Sequence, residues 1–219
     1  MLDSFRRPDA PPLSFKTDAE LRYIIDNREK YLPESVLGAV TELQNRGHEL
    51  SEEEIRVVQE DMKARVEIAN TGPGYNGVFA DNYKDCLVED PDAYQFYSRR
   101  VIKVFTFFSV FFGSILMAMN IAKTKNQGGV FLVILFGIVV TVVEDVIAFS
   151  FQIGAFAFVL GIINILMMDA LFWNRFIGKT TLYKARKYWV PLIIWLVLFG
   201  IVIITLIKNG GAMPGYPAK

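Results

Sequence analysis

Four long apolar runs fall between residues 101 and 207, and few environments can hold a chain that carries them. A run of about 18 or more apolar residues with almost no charge reads as a membrane-crossing helix. The runs cover about Val101–Ala122, Val130–Phe149, Ile153–Trp173 and Trp189–Ile207. Asn126-Gln127-Gly128-Gly129 makes a polar turn between the first two, and only Ser150 to Gln152 separates the second from the third. At about 1.5 Å per residue, Val130–Trp173 can cover two bilayer thicknesses as a tight helical hairpin. The expected fold class is therefore all-α: an integral membrane protein with four transmembrane helices, preceded by a small soluble helical domain.

Charge divides the chain at the same place. Residues 1–98 hold 20 acidic and 11 basic side chains, a net charge of −9, and residues 99–219 hold 3 acidic and 12 basic, a net charge of +9. The whole chain is neutral only because these halves cancel. An acidic, water-facing front and a lipid-embedded back with basic loops account for the split. The start, Met1-Leu-Asp-Ser-Phe-Arg-Arg-Pro, has no apolar stretch behind its arginines and does not read as a signal peptide. Cys86 is the single cysteine, so no disulfide can form within the chain.

Residues 1–16 are proline-rich, without periodicity, and are expected to be a flexible tail. Residues 17–70 read as three helices. Thr17 with Glu20 forms a capping box ahead of the stripe Leu21, Ile24, Ile25. Pro33 suits the first position of a second helix, whose apolar face is Val36, Val40 and Leu43, and Gly47 suits its left-handed C-terminal cap. Ser51 with Glu54 repeats the capping-box pattern before a third helix with Ile55, Val58, Met62 and Val66 along a narrow seam. Three short helices make a small core. The seam is either packed against the first two helices or left as a docking face for a partner or a second copy. Residues 71–98 carry turn signals among six aromatic residues, Tyr75, Phe79, Tyr83, Tyr94, Phe96 and Tyr97. Rings at this density predict a linker lying on the membrane surface or the helical cluster. The bundle occupies residues 99–208, and residues 209–219 are expected to be a flexible tail.

Orientation draws two opposed expectations. An acidic front domain without a signal peptide most simply stays in the cytoplasm. With four spans, the basic residues near the membrane would then be Arg99, Arg100, Lys103 and Lys208 inside, against Lys123, Lys125, Arg175, Lys179, Lys184, Arg186 and Lys187 outside. That is the reverse of the positive-inside bias. A single crossing by residues 130–173 would remove the conflict. Four spans with a cytoplasmic front domain are expected, because translocating an acidic domain without a signal peptide is the harder step.

Ionisable groups inside apolar runs are functional candidates, because an unpaired charge there costs a few kcal/mol or more. Lys103, Glu144, Asp145, Asn164 and Asp169 form that set. Glu144 and Asp145 could pair with Lys103 and Arg100 across the first two spans, could carry a proton or cation with Asn164, or could emerge at the interface. Asp169 is one turn before Trp173, which with Tyr188 and Trp189 is expected to anchor in the interface. Ser114-x-x-x-Ala118 and Ala157-x-x-x-Gly161 favour close helix packing. His48 sits in a turn with no apparent partner for metal or triad chemistry. No phosphate loop, Cys/His cluster or serine with a plausible base occurs, so no catalytic, cofactor or metal residues are assigned, and the chain is expected not to be an enzyme. Its expected partners are the lipid bilayer and a protein or second copy, not nucleic acid.

The stretch Glu20-Leu-Arg-Tyr-Ile-Ile-Asp-Asn-Arg-Glu-Lys-Tyr-Leu-Pro-Glu-Ser-Val, continuing to Ala39-Val-Thr-Glu-Leu-Gln-Asn-Arg-Gly47, resembles the helical hairpin at the front of uncharacterised small multi-pass inner-membrane proteins of Bacteroidota. Tyr97-Ser-Arg-Arg-Val-Ile with Phe112-Gly-Ser-Ile-Leu-Met-Ala-Met-Asn120, and Lys187-Tyr-Trp-Val-Pro191, are similar to spans of the same proteins. The resemblance implies a cytoplasmic front domain on an inner-membrane anchor and transfers no catalytic residues. Two functions follow as expectations: a non-enzymatic scaffold or complex subunit whose front domain docks a partner, or a small transporter or channel using the carboxylates of the second span.

Overall fold

The computed structural model describes residues 5–71, 86–151, 156–179 and 181–208. It is all-α apart from one short parallel strand pair, and it forms two compact units that meet in sequence after Arg186.

The front of the first unit is a three-helix cluster. Helix α1 (Asp18–Asp26) starts on the expected capping box: the Glu20 amide donates to Thr17 Oγ1 at 3.3 Å and the Thr17 amide donates to Glu20 Oε2 at 2.7 Å. Helix α2 (Pro33–Asn45) begins with Pro33, whose missing N–H would have had no helical partner. It ends near Gly47, at φ +82°, a conformation that is cheap only for glycine. Helix α3 (Glu52–Thr71) keeps only half of its capping box. Ser51 Oγ accepts from the Glu54 amide, but the Glu54 carboxylate pairs with Arg22 at 2.7 Å. The core is Leu21, Ile24 and Ile25 from α1, Val36, Ala39, Val40 and Leu43 from α2, and Val58 and Met62 from α3, with Ile55 packed at its margin.

Where they are described, the N-terminal stretch expected to be flexible is held and the aromatic linker is packed. Phe5 and Arg6 donate their amides to the Glu34 carboxylate, and the Arg6 side chain reaches Asp92. Residues 5–16 thus clasp the front domain to the segment that follows it, because Glu34 and Asp92 offer acceptors the proline-rich backbone cannot supply itself. Of the linker aromatics, Tyr75, Phe79 and Tyr83 lie outside the described residues. Tyr94, Phe96 and Tyr97 are buried. They belong to a collar in which strand β1 (Gln95–Phe96) pairs in parallel with β2 (Lys184–Ala185), and Leu87 bridges Tyr183. Asp90, 1% exposed, accepts from the amides of Leu32 and Asp92 and ties the collar to α2.

The expected first span is not one helix. Helix α4 (Arg99–Phe108) stops at Ser109, which is extended at φ −160° and ψ 108°, and α5 (Val110–Lys123) runs back beside it. The two form an antiparallel hairpin. Asn120, near the end of α5, both donates to the Tyr97 carbonyl and accepts from the Tyr97 amide, at 2.9 and 2.8 Å. A straight helix would set these residues about 35 Å apart at 1.5 Å per residue. Close contact near the turn depends on Gly113, where an added Cβ would fall 2.7 Å from the Thr106 Cα. At 10 and 14 residues, α4 and α5 reach about 15 and 21 Å, short of a hydrocarbon core of about 30 Å.

Helix α6 (Gln127–Phe151) packs antiparallel to α5, with Ser114 set against Gly137. This is the close approach that small residues permit. Helix α7 (Phe156–Met167) returns and passes without a break into a π-helix (Met168–Ile177) that ends at the collar, where the Trp173 indole donates to the Gly178 carbonyl at 3.0 Å. Two stretches, residues 127–148 and 158–177, are long and apolar enough to cross a membrane. In the second unit, α8 (Trp189–Lys208) is a further apolar helix, with Pro191 in its first turn and Trp195 stacked on Phe199.

Candidate functional site

The polar residues of the apolar half fall into two centres at opposite ends of the α4–α5 hairpin. The first lies at the collar. Arg99, the first residue of α4, is 3% exposed. Its guanidinium grips both oxygens of Asp169, the second at 2.9 Å, and also donates to Asn174 Oδ1 and to the Lys179 carbonyl. The same group lies 5.5 Å over the Trp173 ring. Lys103, one turn further along α4, places its ammonium 3.8 Å from Asp169. The π-helix lets this centre form, because Asp169, Trp173 and Asn174 all come from it. Of the alternatives open to Lys103, a pairing with Glu144 or Asp145 is not the one seen: its ammonium pairs with Asp169. The start of α4, with Lys103, lies at the collar end of the hairpin, whereas Glu144 lies at its turn beside Phe107 and Ser109. Trp173, 2% exposed, is packed inside the collar rather than anchored in an interface.

Tyr183 closes this centre from the β2 side. Its Oη accepts from the Arg99 amide at 3.3 Å, and its ring packs on Phe96 and Trp173. Burial pushes its hydroxyl up to about 12, against a smaller opposite pull from the Arg99 amide.

The second centre is at the hairpin turn. Glu144 accepts a hydrogen bond from the Asn164 side chain, joining α6 to α7. Asn164 is 4% exposed, Glu144 is half-buried and Asp145 is exposed. A cavity of about 240 Å³ opens here, lined by Phe107, Ser109, Glu144, Asp145, Gly161 and Asn164 among others. The Ser109 hydroxyl accepts from the Phe112 amide, so the first turn of α5 faces this region with a positive dipole end. The centre offers carboxylate oxygens and one carboxamide, a set suited to a small cation or proton. Among the described residues no group of three or more His, Cys, Asp or Glu side chains could hold a metal ion.

Two residues of the seam Ile55, Val58, Met62 and Val66 are taken up by the front-domain core. Val58 and Met62 are 3% and 1% exposed inside the front-domain core, Ile55 packs against it and Val66 is half-buried. A domain of three short helices has too little apolar surface to leave its third helix uncovered. His48 also has a partner: Nε2 lies 2.8 Å from Asp18, whose carboxyl is held below the usual range first by its hydrogen bond from Arg46 and then by His48.

Sequence reasoning missed Arg99, Asn174, Tyr183 and Asn120. The first was read as a flanking charge, and the other three gain meaning only from the collar. No protein-family model, no curated protein and no solved structure matches the chain.

Proposed function

We propose that this chain is a non-enzymatic multi-pass protein of the inner membrane, serving as a scaffold or complex subunit, with its front domain and collar in the cytoplasm. Three helices cross: α6, α7 with its π-helical continuation, and α8. The α4–α5 hairpin enters from the collar side and returns to it. The observation that carries the reading is the surface of α6. Its apolar window is 11% buried, with Phe131, Leu135, Ile138, Val142 and Val146 exposed, which suits lipid and not water. The re-entrant hairpin also removes the conflict over orientation. The collar side then holds Arg99, Arg100, Lys103, Lys123, Lys125, Arg175, Lys179, Lys184, Arg186 and Lys187, and the far side only Lys208 and Lys219.

The test is labelling of single cysteines in intact cells with a membrane-impermeant maleimide, in a Cys86→Ser background. Cysteines replace Glu60 on α3, Lys179 at the collar and Gly210 beyond α8. Labelling at 210 alone is expected. Labelling at 179 alone would restore four spans. Labelling at 60 and 179 but not 210 would place the front domain outside and overturn the scaffold reading.

A second reading is favoured by the cavity at the hairpin turn: a small proton or cation pathway through Glu144, Asp145 and Asn164. Irregular backbone at membrane depth is tolerated where it is buried or lines a cavity, and Ser109 lines this one. In proteoliposomes, the double variant E144Q/D145N would keep its fold and lose flux on this reading. A scaffold would carry no flux with either sequence.

A further inference from the structure

The collar gathers basic side chains, three of which, Lys123, Lys125 and Arg186, enter no ion pair with a described carboxylate. Lys123 is the last residue of α5 and is exposed, and Lys125, two residues on, is exposed at φ +60°. Lys123 lies within electrostatic reach of Arg186 and Arg7, with Asp9 the acidic group in range. Arg186 is fixed from a distant part of the chain. Its amide donates to the Phe96 carbonyl at 2.7 Å, and its guanidinium stands 4.9 Å over the Tyr97 ring. Tyr97 is in turn locked to Asn120 on α5. Arg7 is brought in by the N-terminal clasp, its amide bonded to the Asp92 carbonyl and its side chain 3.3 Å from Asp9. Among the described residues no carboxylate forms an ion pair with Lys123, Lys125 or Arg186. Three separate segments are thus folded so that four basic side chains are gathered with Asp9 as the acidic neighbour, an excess of like charge that favours an added anion.

Position selects the anion. The exposed apolar surface of α6 begins at Phe131, a few residues after Lys125. Gly129 on its first turn packs against Phe176, whose ring lies 5.6 Å from the exposed Arg175 guanidinium. Cations directly flanking a lipid-facing helix stand at headgroup depth, where anionic lipids attract Lys and Arg. We propose that Lys123, Lys125, Arg186 and Arg7 form a headgroup site for an anionic phospholipid at the collar. The proposal rests on the membrane reading given above.

The test uses the full chain in a neutral detergent, titrated with phosphatidylglycerol while thermal unfolding is followed. Phosphatidylglycerol is expected to raise the melting temperature, and phosphatidylcholine to leave it unchanged. K123Q/K125Q is expected to need about 25-fold more phosphatidylglycerol, at about fivefold per basic residue removed. The charge-preserving K123R/K125R keeps the wild-type response, and K208Q, at the C-terminal end of α8, serves as the control that loses nothing. A wild-type response in K123Q/K125Q would overturn the proposal, as would an equal response to phosphatidylcholine. A shift reproduced by inorganic phosphate alone would assign the cluster to a free anion and overturn it too. Failure of the membrane reading is told apart separately: the chain would then stay monomeric in water without detergent.

Discussion

Replacing Asp169 by Asn removes one charge and almost no volume, and the fold concentrates the consequence on α4. The side chains of Arg99 and Asp169 are 4% and 11% exposed. Arg99 binds Asp169 through two N–H groups, and Lys103 stands 3.8 Å from the same carboxylate. With Asn in place, two buried cations would face a neutral amide. Breaking a buried pair by removing one partner costs about 3–5 kcal/mol. Asn retains an acceptor and Arg99 keeps its bonds to Asn174 and the Lys179 carbonyl, so the low end applies, about 3 kcal/mol. That is a large share of a typical folding stability of about 5–15 kcal/mol. Reversible unfolding in mixed micelles, titrated with SDS and followed by tryptophan fluorescence, measures it. Arg99→Lys should fall between wild type and Asp169→Asn, because an ammonium cannot span the acceptors that a guanidinium fork reaches. Glu144→Gln, at the other centre, is expected to cost less than about 1 kcal/mol, since Gln can still accept from Asn164. A loss under about 1 kcal/mol for Asp169→Asn, or equal losses for Asp169→Asn and Glu144→Gln, would refute the collar as the charged keystone.

Three further outcomes are expected. Tyr183 ionises near 10 in the unfolded chain and near 12 in the fold, so the native state holds more protons between those values and stability falls as pH rises through them. In Tyr183→Phe, melts between pH 9.5 and 11.5 should show a shallower loss than wild type, below a neutral-pH baseline lowered by about 1 kcal/mol for the lost bond to Arg99. Gly113→Val places its Cβ against the Thr106 backbone and should destabilise the hairpin by about 1–3 kcal/mol, read by the same SDS titration. Met62→Ala opens the front-domain core and should cost about 2–5 kcal/mol by urea unfolding, a loss absent if the seam were a free surface.

Helix boundaries in the front domain were legible because they are local. Thr17 with Glu20, Pro33 and Gly47 act on groups within a few residues of themselves. The three-helix core was legible as one of two alternatives, since periodicity gives the apolar face of α3 but not what covers it. The collar was not legible. Its contacts join residues about 90 positions apart, as in Gln95 with Lys184, and two-residue strands carry no period to read. The Arg99–Asp169 pairing escaped for the same reason. Asp169 was placed correctly among polar residues of an apolar run, but its partner depends on which way α4 runs.

That direction is the point where a purely apolar pattern is silent. The 22 residues Val101–Ala122 satisfy the length rule for a span whether they run straight or fold back. The turn at Ser109 has neither glycine nor proline to announce it. A serine suffices because its hydroxyl caps the first turn of α5 and replaces the helical bond that the reversal breaks. The steric permission comes from Gly113 and the lock from Asn120, at four and eleven residues beyond the turn, and neither stands out in an apolar run. What the sequence did register was the contradiction. On the membrane reading proposed above, a straight first helix sets seven basic residues on the wrong side. With a hairpin, the same residues join Arg99, Arg100 and Lys103 around one collar. The charge distribution therefore carried information about the turn that hydropathy lacked, because loops answer to the sign of their charges while apolar helices answer only to their length.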